Sequence, residues 1–218
     1  MRYEGNVFRP PSEAYSYILQ CTVGCSHNRC TFCAMYIDKK HHVRKMEDIK
    51  EDIRMAKRHY GDLEKVFLAD GDALAMPTDD LLEILDILYK TFPSLKHVGI
   101  YASPESILDK EMSELTALKA AGLTIAYLGV ETGDPELLEA IRKGANYDEM
   151  LEAGRKIRRA GILLSVTILL GLAGRTPKAV EHEKNTAKMM NEMNPDYIGA
   201  LTLMLVPGTQ LYRKQQKG

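Results

Sequence analysis

Short apolar, β-branched runs alternate along this chain with longer stretches whose apolar residues recur every three or four positions. That alternation is the signature of repeated β/α units. The strand-like runs are 15–21, 65–70, 97–103, 124–131, 163–171 and 197–206, each rich in Val, Ile, Leu or Tyr. Several are apolar without interruption, which suits strands covered on both faces. Between them, 46–60 places Ile49, Ile53 and Ala56 on one helical face, and 79–90 does the same with Leu81, Leu82, Leu85 and Leu88. Thr78 is the expected N-cap of the second helix, with Asp79 and Asp80 in its electropositive first turn. Two later helices are expected to end at Gly122 and Gly161, where glycine can take the left-handed conformation.

Six parallel strands joined by right-handed crossovers make either an open doubly wound sheet or a partial barrel, and periodicity does not choose. Both architectures build their sites at the carboxyl ends of the strands. Those ends are polar here: Asp70-Gly71-Asp72, then Ser103, then Glu131-Thr132-Gly133, while the first run leads directly into the cysteines. No linker or low-complexity segment interrupts the pattern, so 1–218 reads as one α/β domain. After the last run only 209–218 remain, and 211–217 start like a helix of under two turns. A strand without a covering helix keeps a bare apolar face, so the expectation is either a longer parent protein or a second subunit over that strand.

Composition narrows the partners. The 218 residues hold 29 basic and 30 acidic side chains, a formal charge of −1, which gives no global attraction to nucleic acid or anionic lipid. The basic stretch 39–45 has no interleaved aromatic and reads as a solvated connection rather than a nucleic-acid contact. Neither a signal-type apolar run at the amino terminus nor a membrane-length apolar stretch is present, so a cytoplasmic protein is expected. All four cysteines fall between Cys21 and Cys33, a clustering that favours a metal centre over disulfides.

Their spacing is C-x3-C-x4-C-x2-C, through Cys21, Cys25, Cys30 and Cys33. A zinc-binding scaffold without catalysis is one reading, although structural zinc sites bring two ligand pairs on separate turns. An iron-sulfur cubane on three of the thiols suits a single loop better and keeps one iron free for a small-molecule ligand.

The stretch Cys25-Ser-His-Asn-Arg-Cys30-Thr-Phe-Cys33 resembles the C-x4-C-x2-C variant of the radical S-adenosylmethionine (SAM) enzymes, and the resemblance extends over nearly the whole chain. It implies a partial (β/α)6 barrel with a [4Fe-4S] cluster on Cys25, Cys30 and Cys33. Cys21 has strand-like surroundings and reads as a core residue, and pairing it with Cys25 would need a third thiol at Asn28. SAM would bind the free iron and be cleaved reductively to a 5′-deoxyadenosyl radical, which abstracts hydrogen from a substrate the sequence does not name. An electron donor such as flavodoxin or ferredoxin is the implied partner. The resemblance also places Phe32 near the adenine, Asp70, Gly71 and Asp72 around the SAM ammonium, Ser103 at the ribose and Thr167 on the fifth barrel strand. Glu131 and Lys143 form its polar pair, Lys143 facing the SAM carboxylate with Arg142 as a rival. His27 is expected to bond the backbone of its own loop.

Overall fold

The computed structural model describes residues 2–216. In chain order, β1 (Tyr17–Gln20) is followed by a short antiparallel pair, β2 (Thr22–Val23) and β3 (His42–Val43), which closes the base of the cysteine loop. Then come α1 (Met46–Tyr60), β4 (Lys65–Ala69), α2 (Thr78–Thr91), β5 (His97–Ala102), α3 (Pro104–Asp109) and α4 (Met112–Ala120). The rest is β6 (Ile125–Glu131), α5 (Pro135–Ala140), α6 (Tyr147–Arg159), β7 (Leu163–Leu170), α7 (Lys178–Met193), β8 (Tyr197–Thr202) and α8 (Gln210–Gln215). Strands β1, β4, β5, β6, β7 and β8 hydrogen-bond in that order, all parallel. Since β1 and β8 do not pair, the sheet is the open, partial barrel expected.

Alternation along each strand divides two interiors. Outward residues such as Leu68, Ile100, Leu128 and Val166 pack with the helices in the main core. Inward, Phe67, Ala69, Ile125 and Tyr127 join Ile18 and Tyr101 in a smaller cluster that fills the barrel. Phe67, Tyr101 and Tyr127 meet edge to face, with ring centres 4.8 Å and 5.7 Å from Phe67. Below them a 3-10 turn, Pro11–Glu13, buries Glu13, which accepts hydrogen bonds from Tyr127 (2.5 Å) and Ser16 and pairs with His97 Nε2 (2.7 Å). Burial works against the Glu13 carboxylate, yet these partners hold its pKa below the ordinary value. Gly99 makes room: a Cβ there would lie 2.8 Å from Glu13 Oε1.

Several boundaries differ from the sequence expectation. The cap of α2 is Pro77, and Thr78 is its first residue, whose hydroxyl donates to Glu114 (2.5 Å) instead of capping. The first strand begins at Tyr17 because a turn occupies the preceding residues. The last ends at Thr202: β7 stops at Leu170, so after the Leu203 N–H bonds the Leu170 carbonyl the chain has no neighbour to pair with. All six residues of β8 are exposed. Helix α8 occupies the expected short stretch, although Lys217 and Gly218 lie outside the described residues. Gly122 and Gly161 do end their helices at φ of 107° and 78°. Among the described residues no helix is long and apolar enough to cross a membrane.

Candidate cluster and cofactor site

A cavity of about 590 Å³ opens at the carboxyl ends of the strands, with Cys25, Cys30 and Cys33 on its wall. The loop that carries them leaves β2 and returns through β3, and its packing depends on Gly71 just past β4. A Cβ on Gly71 would meet the Tyr36 ring at 2.5 Å and Cys25 Cβ at 2.8 Å, so only glycine lets the loop sit against the strand end. All three thiols are half-buried. Burial raises each pKa, that of Cys30 to about 11, while Lys143 pulls in the opposite direction. Cys21 differs: it is fully buried in the main core, its pKa is pushed up to about 12, and it does not line the cavity.

Such soft, half-buried donors on one concave wall fit a cluster that accepts thiolates. Among the described residues, no three His, Cys, Asp or Glu side chains converge closely enough to hold a single metal ion.

Across the cavity, Lys143 Nζ lies 3.1 Å from Glu131 Oε1, with both side chains about nine-tenths buried. Burial opposes the ammonium charge, yet the Glu131 carboxylate and Cys30 raise the Lys143 pKa above its ordinary value. Two backbone features aim this pair. The β6 register shifts between Gly129 and Glu131, and Glu131 takes a left-handed φ of 68°. Such bulges re-aim side chains, and a left-handed non-glycine residue stores strain of about 1–3 kcal/mol that the surroundings must hold in place. Gly129 supplies the space, since a Cβ there would lie 2.3 Å from Glu131 Oε1 and 3.0 Å from Lys143 Nζ.

Phe32, Gly71, Ser103 and Thr167 also line the cavity. Phe32 packs with Ile141, Leu169, Leu172 and Leu203, an apolar wall beside the thiols. Ser103 caps α3 by accepting from the Ser106 N–H (3.0 Å).

Two predicted acids are not on the cavity wall. Asp72 is fully buried, and its oxygens already accept from the Ser103 N–H (2.9 Å), Ser106 Oγ (2.7 Å) and Ser26 Oγ (2.5 Å). It ties β4, the α3 cap and the cysteine loop together and lies off the cavity wall on which the resemblance would put an acceptor for the SAM ammonium. Asp70 is fully buried too, with Oδ2 taking Lys39 Nζ (2.5 Å), the Gly24 N–H (3.2 Å) and Gln20 Nε2 (3.3 Å). Oδ2 clamps both ends of the cysteine loop, while Oδ1 is buried without a hydrogen-bond partner, and neither oxygen lines the cavity where the resemblance put Asp70 beside SAM. The rival Arg142 is exposed and absent from the wall. His27 bonds backbone as expected, but through Nε2 to the Arg142 carbonyl (2.7 Å) after α5 rather than to its own loop.

Part of the basic stretch is paired internally, Lys39 with Asp70 and Arg44 with Asp52 (2.7 Å), and His42 Nε2 lies 3.4 Å from Glu4. Sequence reasoning missed Tyr36, Tyr101, Tyr127 and Leu201 on the cavity wall. Tyr101 lies two residues before Ser103, and Tyr127 lies two before Gly129. Strand alternation therefore carried the signal for both.

A parallel half-barrel with three cysteines and a buried ion pair over its strand ends defines a class of cluster-dependent enzyme. The profile described as Radical SAM superfamily matches residues 19–186, and the chain belongs to that family. Its cofactors are a [4Fe-4S] cluster and SAM. The heme chaperone HemW of Bacillus subtilis (strain 168) is 26% identical over 211 residues, 94% of this chain and 54% of that protein. The chain thus spans about half the length of that curated relative. Among solved structures, the radical SAM methyltransferase TsrM from Kitasatospora setae, with cobalamin and a [4Fe-4S] cluster bound, superposes at a TM-score of 0.71. It shares 21% identity, over 90% of this chain and 38% of that one. The coproporphyrinogen III oxidase HemN from Escherichia coli superposes at 0.67 with 16% identity, over 92% of this chain and 46% of that one. At these identities the two structures speak for the fold.

Proposed function

We propose that this chain reductively cleaves SAM and uses the resulting 5′-deoxyadenosyl radical to abstract hydrogen from a substrate. The observation that carries the reading is that Cys25, Cys30 and Cys33 share one cavity with the Glu131–Lys143 pair. The bound cluster and SAM supply the chemistry, in which one electron breaks a sulfonium carbon–sulfur bond. The chain's own part is to hold, orient and exclude. Cys25, Cys30 and Cys33 would hold the cluster. Lys143 would face the SAM carboxylate, with Glu131 fixing its ammonium and offering an acceptor to the SAM amino group. Cavity-facing backbone at Gly71 and the Ser103 hydroxyl supply further polar contacts. Phe32 and the apolar residues behind it would cover the adenine and keep water from the radical.

The relatives are named for heme handling, methyl transfer and porphyrinogen oxidation, so their printed names do not converge on one substrate. The test is anaerobic: reconstituted protein, SAM and dithionite are incubated without substrate and assayed for 5′-deoxyadenosine. Slow formation by the parent, absent in Cys30→Ala, is the expected result. A parent that holds four-iron clusters but never cleaves SAM would contradict the proposal.

A further inference from the structure

Three tyrosines reach the cavity that holds the thiols, and their hydroxyls are in different states. Tyr127 donates to Glu13 Oε1 (2.5 Å) and shares a second bond with Ser12 Oγ (3.1 Å), so its proton is already committed. The Tyr36 hydroxyl is sealed in the protein interior with no partner, so that residue meets the cavity through its ring. Tyr101 differs from both. Its side chain is half-buried, its hydroxyl bonds no described residue, and its oxygen is not sealed as that of Tyr36 is. Of the three phenols, Tyr101 alone brings a free O–H to the space shared with Cys25, Cys30 and Cys33.

The wall holds this phenol in place. Tyr101 and Tyr127 stand directly opposite each other on β5 and β6, with ring centres 6.3 Å apart, and Phe67 meets Tyr101 edge to face at 4.8 Å. Tyr127 is in turn pinned by Glu13. Burial and the nearby Asp70 carboxylate raise the Tyr101 pKa above that of an ordinary phenol, so the hydroxyl keeps its proton near neutrality. Ser103, also on the cavity, follows two residues later, roughly 7 Å on at the rise of extended chain.

A phenol O–H bond is weaker than an alkyl C–H bond, so a carbon radical that reaches Tyr101 takes its hydrogen downhill. We propose that Tyr101 is a hydrogen-atom donor that quenches carbon radicals in this cavity. The proposal rests on the radical SAM reading above and concerns how that chemistry ends. The Tyr101 O–H bond breaks homolytically, a C–H bond forms on the radical, and a neutral tyrosyl radical remains. One electron from the reductant, dithionite in the test below, and one proton from solvent then restore the phenol. A substrate that gives up a hydrogen atom at the start and receives one from Tyr101 at the end leaves at its original oxidation level. The reaction class is therefore rearrangement or fragmentation rather than net oxidation.

Solvent deuterium tests this with SAM alone as the probe. Reconstituted protein, SAM and dithionite are incubated anaerobically in D2O without added thiol, and the 5′-deoxyadenosine formed is weighed by mass spectrometry. The O–D bond of water is too strong for an alkyl radical to break, so deuterium enters only through a weaker exchangeable bond, a phenol O–D or a thiol S–D. The thiol left over from the cluster, Cys21, lies in the main core away from the cavity. The parent should give deuterated 5′-deoxyadenosine, and Tyr101→Phe, which keeps the ring, should lose the label. Tyr36→Phe and Tyr127→Phe should retain it. Freeze-quench EPR adds a second readout: a tyrosyl signal that narrows with ring-deuterated tyrosine and is lost in Tyr101→Phe. Should Tyr101→Phe hold no cluster, that signal in the parent, and its survival in Tyr36→Phe and Tyr127→Phe, carries the test. Unlabelled 5′-deoxyadenosine from the parent, or as much label in Tyr101→Phe as in the parent, would overturn the proposal. A parent that forms no 5′-deoxyadenosine would instead count against the function on which the proposal rests.

Discussion

Two buried carboxylate–lysine pairs flank the cysteine loop, and they have different jobs. Glu131–Lys143 (3.1 Å) stands on the cavity wall with each side chain slightly open to it. Asp70–Lys39 (2.5 Å) lies behind the wall, where Lys39 also donates to the Asn6 carbonyl (2.5 Å). In the first pair the polar atoms still face space that a ligand can fill. In the second, Asp70 Oδ2 accepts from three donors and joins the loop's beginning at Gly24, its end at Lys39 and β1 at Gln20. A buried ion pair is thus a binding feature or a clasp according to what its unspent valences face.

The comparison breaks most visibly at the clasp. Asp70→Ala leaves Lys39 charged, buried and unpaired, and removing one partner of such a pair costs about 3–5 kcal/mol. Chemical denaturation should show that loss in the protein before any cofactor is added; a variant as stable as the parent would mean the clasp is not structural. Lys143→Ala should do the reverse. Its stability change should be small beside that of Asp70→Ala, because Glu131 borders open cavity, but SAM affinity should fall by about 2 kcal/mol, roughly thirtyfold. Calorimetric titration of SAM into the reconstituted protein reads this directly, and Arg142→Ala should leave that affinity unchanged.

The smallest effect concerns acid. Hydrogen bonds hold the Glu13 pKa below its unfolded value, so its contribution to stability is complete above the unfolded pKa and disappears as pH falls through the lower folded value. The parent should therefore lose stability on the acid side through that window, and Glu13→Gln should flatten that limb by about 1 kcal/mol. Identical acid limbs in the two proteins would show that the buried turn is not proton-linked.

Much of this was legible in the sequence because the governing signals are local. Continuous apolarity marked β4 to β7, the glycines at 122 and 161 marked helix ends, and the C-x4-C-x2-C run marked the loop. Which side chains at a strand end turn toward the cavity is decided by register, which adjacency conceals. Past the end of β4, residues 70–72 form a turn in which Gly71 borders the cavity while the carboxylates of Asp70 and Asp72 are taken up by the cysteine loop and the α3 cap. Reading all three as one motif missed that division. Strand alternation would have found Tyr101 and Tyr127 on β5 and β6. The end of β8 was beyond local reading, because it is set by where β7 stops.

The central claim is that three of the four cysteines act as ligands and the fourth as core. Iron and acid-labile sulfide, measured after anaerobic reconstitution of the four single Cys→Ala variants, test it most directly. The account predicts about four of each per chain in the parent and in Cys21→Ala, and neither in Cys25→Ala, Cys30→Ala or Cys33→Ala. Loss of the cluster in Cys21→Ala, or stoichiometric zinc without sulfide in the parent, would contradict it.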